Sequence, residues 1–227
     1  MLNQSFPDLR PVRLDRRLPV APQVFEVLRE QIVSLALLPG TPLSRPALAE
    51  SFGVSQTPIR DALLRLEQEA LVTVHPQSST MVAPIDVDQA HEAQFLRISL
   101  ECEVSRAIAL DRDAYDLETP ARLLEQMHAA WEGGQDKPTF IDRDLNYPRA
   151  PPDAKGSGLS SSSVDRLRNL HLPTPGKAAQ ILADHHEHLE ALRAGDEVKA
   201  QAVIRRHLTG TLRAASEIRE AHLQFFE

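Results

Sequence analysis

"GVSQTPIRDALLRLEQEALV", residues 53–72, decides the architecture of the N-terminal part of this 227-residue chain. Gly53 suits the end of one helix and Ser55 the start of another, with Pro58 in the first turn, where a missing N–H costs nothing. Ile59, Ala62, Leu63, Leu66 and Ala70 then share one helical stripe. Only "GVS" separates this helix from a shorter one at about 46–52, and a tight turn with glycine between two helices is a supersecondary signature. Upstream, Phe25, Leu28, Ile32 and Leu35 recur at helix spacing from Pro22 until "LPGTP" at 38–42 stops the pattern. Downstream, "VTVHPQSSTMVAPI" alternates, so Val72, Val74, Met81 and Val82 are expected on two short strands around a polar turn at 76–80. Helix, short helix, tight turn, helix, hairpin is the order of a winged helix-turn-helix.

In such a module the second helix enters the major groove with its N-terminal residues at the base edges. Here these are Gln56, Thr57 and Arg60: Gln pairs with adenine, Arg with guanine or phosphate, and Thr with phosphate or a thymine methyl. The bland alternative is an amphipathic helix with an exposed arginine. The net charge of −7 argues against nucleic acid until it is divided along the chain. Residues 1–83 carry 8 Lys+Arg against 8 Asp+Glu, so the whole excess lies beyond them. A DNA-binding module joined to an acidic domain has this distribution, because only the module needs phosphate affinity.

The Pro- and Arg-rich residues 1–21 read as a mobile arm and 22–83 as the winged module. Cys102 is the lone cysteine, which excludes an internal disulfide or a CxxC knuckle. The first residues hold no signal-like apolar run, and no stretch reaches the roughly 20 apolar residues of a membrane span. A cytoplasmic protein is the expectation.

From Asp86 only helices are expected, at 86–110, 117–133, from Thr139, 164–171, 176–194 and 196–220. Residues 148–164, rich in Pro, Gly and Ser, should be irregular or disordered. Apolar residues on more than one face of 86–110 (Phe95, Ile98, Cys102, Ala109; Leu96, Leu100, Ala107) imply a helix buried within a bundle. The fold class is therefore mainly α: an N-terminal winged helix-turn-helix and a C-terminal all-α antiparallel helical bundle, 86–220. "AGD" at 194–196 turns one helix back on the next, which brings His185 and His207 inward at one level, whereas His186 points away. Two converging imidazoles suit Zn or Ni; hydrogen-bonded core histidines are the alternative, and His188 is a further candidate ligand. Arg97 and Glu101, four apart, can pair on a helix surface.

The N-terminal segment resembles the GntR family of bacterial transcription regulators. Leu43, Ser44, Leu48, Ala49, Gly53, Val54, Ser55, Thr57, Pro58, Arg60, Ala62, Leu63 and Leu66 fall in register with that family's signature. The resemblance implies DNA contacts by Thr57 and Arg60, with Ser44 and Arg45 near phosphates and Ser55 and Gln56 among the DNA-facing positions. Gln56 stands where the family usually has Arg, and Ser78-Ser79 where its wing carries Arg-Gly. The remainder resembles the FCD subgroup (named for the FadR C-terminal domain), whose ligand pattern matches Asp144, His185 and His207, with Gly195-Asp196 in register. Pro148 stands where that subgroup has a fourth ligand, a histidine, and proline cannot bind metal. Arg97 with Glu101 matches the subgroup's effector pair. Together the two resemblances imply a ligand-responsive regulator: a homodimer on a near-palindromic double-stranded operator, sensing a small organic acid, with a divalent Zn or Ni at the Asp/His cluster. The alternatives are a constitutive regulator with a decayed pocket and a metal-dependent hydrolase.

Overall fold

A computed structural model describes residues 14–74, 79–134, 136–147 and 161–226. Helix α1 (Val20–Val33) buries Val24, Phe25, Leu28 and Ile32. It ends two residues earlier than its apolar spacing suggests. Leu35 lies beyond the helix at φ 64, and Leu37, 2% exposed, takes the buried place instead. The bond from Leu37 N–H to the Gln31 carbonyl (2.9 Å) holds that reversal.

Helix α2 (Arg45–Phe52) begins at Ser44, whose hydroxyl accepts from the Ala47 N–H at 3.5 Å, and ends at Gly53 with φ 62. The left-handed conformation there is why glycine stands at that position. Helix α3 (Gln56–Gln68) turns Ile59, Ala62, Leu63 and Leu66 into a core shared with α1 and α2. Ala70, expected on the same stripe, lies past the helix end, exposed, at φ 54.

Strands β1 (Val72–Val74) and β2 (Thr80–Val82) pair antiparallel with Val72 opposite Val82. The "LPGTP" segment, expected only to stop α1, does more. Its Thr41 carbonyl accepts from Val82 N–H (2.9 Å) and Leu43 N–H donates to Thr80 (2.7 Å), so it lines the other edge of β2. Residues 75–78, with His75 and Ser78, lie outside the described residues, and Thr80, expected in the turn at 76–80, begins β2.

The second half consists of α4 (Val87–Leu110), α5 (Glu118–Glu132), α6 (Lys137–Asn146), α7 (Ser162–His171), α8 (Lys177–Ala194), α9 (Glu197–Arg213) and α10 (Ala215–Ala221). Helices α8 and α9 form the expected hairpin, with Gly195 at φ 72 and the Asp196 carboxylate capping α9 at the Lys199 N–H.

Three expectations are corrected. The span 196–220 is two helices broken at Ala214, which lets Ile218 pack with Ile85, Ala90, Val164 and Leu167. The serine run is not irregular to its end: Ser161 caps α7, whose first residues are buried. Helix α4 is not covered all round, since Phe95, Leu96 and Leu100 are 71%, 52% and 40% exposed. Pro148 and the rest of 148–160 lie outside the described residues.

Helix α7 ties the two halves together. Arg166, fully buried, donates to the Ala83 carbonyl (2.7 Å) and the Pro84 carbonyl (2.8 Å). Asn169 donates to the Val33 carbonyl at the end of α1 (2.8 Å).

Candidate DNA interface and candidate metal centre

Helix α3 presents Gln56, Thr57 and Arg60 outward from its first turns, while Ile59, between them, is fully buried. The 3.6-residue period makes that division: positions flanking the apolar stripe face solvent. Ser55 occupies the N-cap position, but its hydroxyl makes no capping bond and is exposed. Arg45 is exposed as well, whereas the Ser44 hydroxyl is committed to its cap. The helix is braced from behind. Arg65 lies over the Phe25 ring at 3.9 Å, and Arg29 pairs with Glu69 at 3.1 Å.

In the bundle, α6 supplies Asp144, α8 His185 and α9 His207. One donor atom of each lies within 4.8 Å of the others. Asp144 Oδ1 is 2.7 Å from His185 Nε2 and 3.7 Å from His207 Nε2. The side chains are 0–8% exposed. Burial, and the nearby Arg168 charge, push His185 down to about 3; burial and His185 push His207 down to about 3. Both rings are therefore neutral at physiological pH, the form in which imidazole binds metal.

Asp184 stands behind His207, its Oδ2 3.8 Å from Nδ1. Burial opposes its charge, but His207, Arg206 and Gln180 together hold it down to about 2. A carboxylate on the far nitrogen of a ligating histidine is the usual orienting partner. Tyr147 packs on the His185 ring at 4.0 Å and donates to the His185 carbonyl at 2.8 Å. One anionic and two imidazole donors converging on one point fit a first-row divalent ion. An ion held by them would supply Lewis acidity to a ligand oxygen.

His188 does not join this set. Its Nε2 lies 3.0 Å from Ser105 Oγ, toward α4, so it is not the substitute ligand that its spacing suggested. His186 is exposed, as expected.

Arg97 and Glu101 are buried, at 4% and 6% exposed, and joined at 2.6 Å, which removes the surface-pair reading. Arg97 lines one cleft with Asp144, Arg168, Lys177, His207 and Thr211. Arg168, on α7, bonds Asp144 Oδ2 and lies 3.6 Å from Asp165. Burial first, then the Arg97 charge, lowers it to about 9, so it stays a cation at neutral pH. Neither Arg168 nor Asp184 was singled out from the sequence. Asp184 directly precedes His185 and could have been suspected; Arg168 follows the irregular segment and carries no spacing signal.

The model of the family described as "Bacterial regulatory proteins, gntR family" matches residues 21–82, and the "FCD domain" model matches 92–210. The chain belongs to the GntR family. It is a bacterial GntR transcription regulator, with a DNA-binding helix-turn-helix domain and an FCD effector-binding domain. It is similar to the HTH-type transcriptional repressor RspR of Escherichia coli, 27% identical over 92% of this chain and 94% of that one. It is also similar to the regulator McbR of the same species, 34% identical over 77% and 83%. Two solved structures share the fold: a GntR regulator from Rhodococcus (TM-score 0.73, 21% identity, 88% and 98% covered) and E. coli McbR/YncC (0.69, 23%, 90% and 99%). Among the described residues, no helix of this GntR regulator is long and apolar enough to cross a membrane.

Proposed function

We propose that this regulator binds a near-palindromic operator as a homodimer through residues 22–83, and senses a small carboxylate in the helical part, 86–220. The observation that carries the effector reading is the buried Arg97, which shares one cleft with Arg168, Lys177 and the Asp144–His207 edge of the cluster. A guanidinium in a low-dielectric cleft with apolar walls is a bidentate seat for a carboxylate. Asp144, His185 and His207 hold a divalent Zn or Ni beside it, which would take a second ligand oxygen. On the DNA side, Ser55, Gln56, Thr57 and Arg60 of α3 and Arg45 of α2 meet the duplex, and Ser44 sets the start of α2 beside the phosphates. The exposed Phe95, Leu96 and Leu100 of α4 support the dimer, since an apolar stripe of this kind is covered by a second copy.

Footprinting of the upstream DNA with and without organic acids tests this reading. Protection of two half-sites, altered by an acid in wild type but not in Arg97→Met, is expected. Absence of any protected sequence at physiological salt would remove it. Metal analysis of wild type, Asp144→Ala and His207→Ala tests the ion, and equal content in all three would sink the ligand assignment.

One observation favours a second reading, a constitutive regulator: both cleft arginines already have carboxylate partners, Glu101 and Asp144. Protection indifferent to every acid, in wild type and Arg97→Met alike, would support it.

A further inference from the structure

Asp144 is the one anionic donor of the candidate metal centre, and it is claimed from two sides. Its Oδ1 faces the two imidazoles, and its Oδ2 accepts from the Arg168 guanidinium. The carboxylate is 5% exposed and Arg168 15%, so water does little to screen either. We infer that Arg168 is the resident cation of this centre and competes with a divalent ion for Asp144. The inference rests on the metal reading of Asp144, His185 and His207 proposed above.

The physical reason is charge. Two neutral imidazoles contribute none, so of the three donors only the Asp144 carboxylate offsets the charge of a cation held there; Asp184, behind His207, is already paired with Arg206. Arg168 takes up the Asp144 charge from the other side. A dication added beside it would put two cations on one buried carboxylate, at a separation where Coulomb repulsion in low dielectric is several times that in water. Ion entry therefore has to move the guanidinium off Oδ2. The cleft that Arg168 lines with Arg97 and Lys177 is where the guanidinium moves when it leaves Oδ2. A guanidinium released into a cleft that already holds two other cations favours an incoming anion. The site thus takes an ion together with an acidic ligand more readily than an ion alone. Arg168 also rides on the helix whose Arg166 and Asn169 are bonded to the DNA-binding half, so its position is felt there.

The test is titration of Ni(II) into chelator-stripped wild type, Arg168→Gln, Arg168→Lys and Asp144→Asn, with affinity read by calorimetry and folding by circular dichroism. Arg168→Gln should bind Ni(II) about tenfold or more tightly than wild type, because no competing cation then sits on Asp144. Arg168→Lys should fall between, and Asp144→Asn should lose the site. Equal or weaker binding by Arg168→Gln, with Asp144→Asn still defective, overturns the competition and makes Arg168 a supporting partner instead. No binding by wild type or Arg168→Gln removes the metal reading and the inference with it. Should Arg168→Gln fail to fold, a crystal structure of Ni(II)-loaded wild type decides: the guanidinium off Asp144 supports the inference, and its retention on Oδ2 overturns it.

Discussion

His185, His188 and His207 are each held near a pKa of about 3, chiefly by burial. The unfolded chain takes up their protons near the ordinary value of about 6.5. Between those values the unfolded state binds more protons than the folded one, so stability falls as pH falls, by about 1.4 kcal/mol per unit for each ring. Chelator-treated protein should therefore show a urea midpoint that drops steeply from pH 6.5 to 4.5 and changes little from these rings above pH 7.5. A midpoint unchanged between pH 7 and 5 would contradict the neutral, buried histidines. On the other half of the molecule, Arg60 stands exposed on the outer side of α3. Arg60→Ala should weaken operator binding by about 1–3 kcal/mol, with the loss concentrated on one base pair of each half-site if it reads guanine. A uniform loss across sequences, with a shallower salt slope, would instead make Arg60 a phosphate contact. At this scale the sequence marked His185 and His207 by helix register and Asp144 and Arg97 by resemblance to the FCD pattern. It missed Arg168, whose partner is 24 residues away across a break in every pattern.

At the scale of elements, α3 and the α8–α9 hairpin come directly from period and punctuation, since both are bounded by residues whose backbone preferences leave little choice. Gly53 at φ 62 and Gly195 at φ 72 are such residues. Helix α7 is the opposite case. Its ten residues include a wholly buried arginine that no hydrophobic pattern marks. Arg166 gives two hydrogen bonds to backbone carbonyls at the junction of the two halves, and burial lowers it only to about 10, so it remains charged. Arg166→Leu should leave those carbonyls without donors, cost about 2–5 kcal/mol, and split thermal unfolding into two transitions. A single transition at the wild-type temperature would show that α7 does not couple the halves.

For the whole molecule, the exposed stripe of α4 bears on assembly. Phe95, Leu96 and Leu100 are exposed on a helix whose other side is packed on α9. A homodimer that buries this stripe makes Phe95→Asp monomeric in sedimentation, with unchanged circular dichroism and operator affinity sharply reduced, because two linked heads bind far better than one. A Phe95→Asp protein that still sediments as a dimer would place the interface elsewhere. The division of charge is consistent with this assembly: the whole excess of acid lies beyond residue 83, away from the DNA-facing helices.

By itself the sequence determined the class of the protein. The helix-turn-helix and the helical hairpin are written in local terms, in turn glycines, caps and apolar periods, and local terms survive without knowledge of distant contacts. It also set which residue types face inward on α8 and α9, and hence that His185 and His207 would meet. Only the tertiary structure decided which groups hold Asp144, that Asp184 backs His207, that His188 turns to Ser105 instead, and that α4 keeps a bare face. Those outcomes depend on which side chains arrive from elements far apart in the chain, and no spacing along one helix encodes the charge that another helix brings to it.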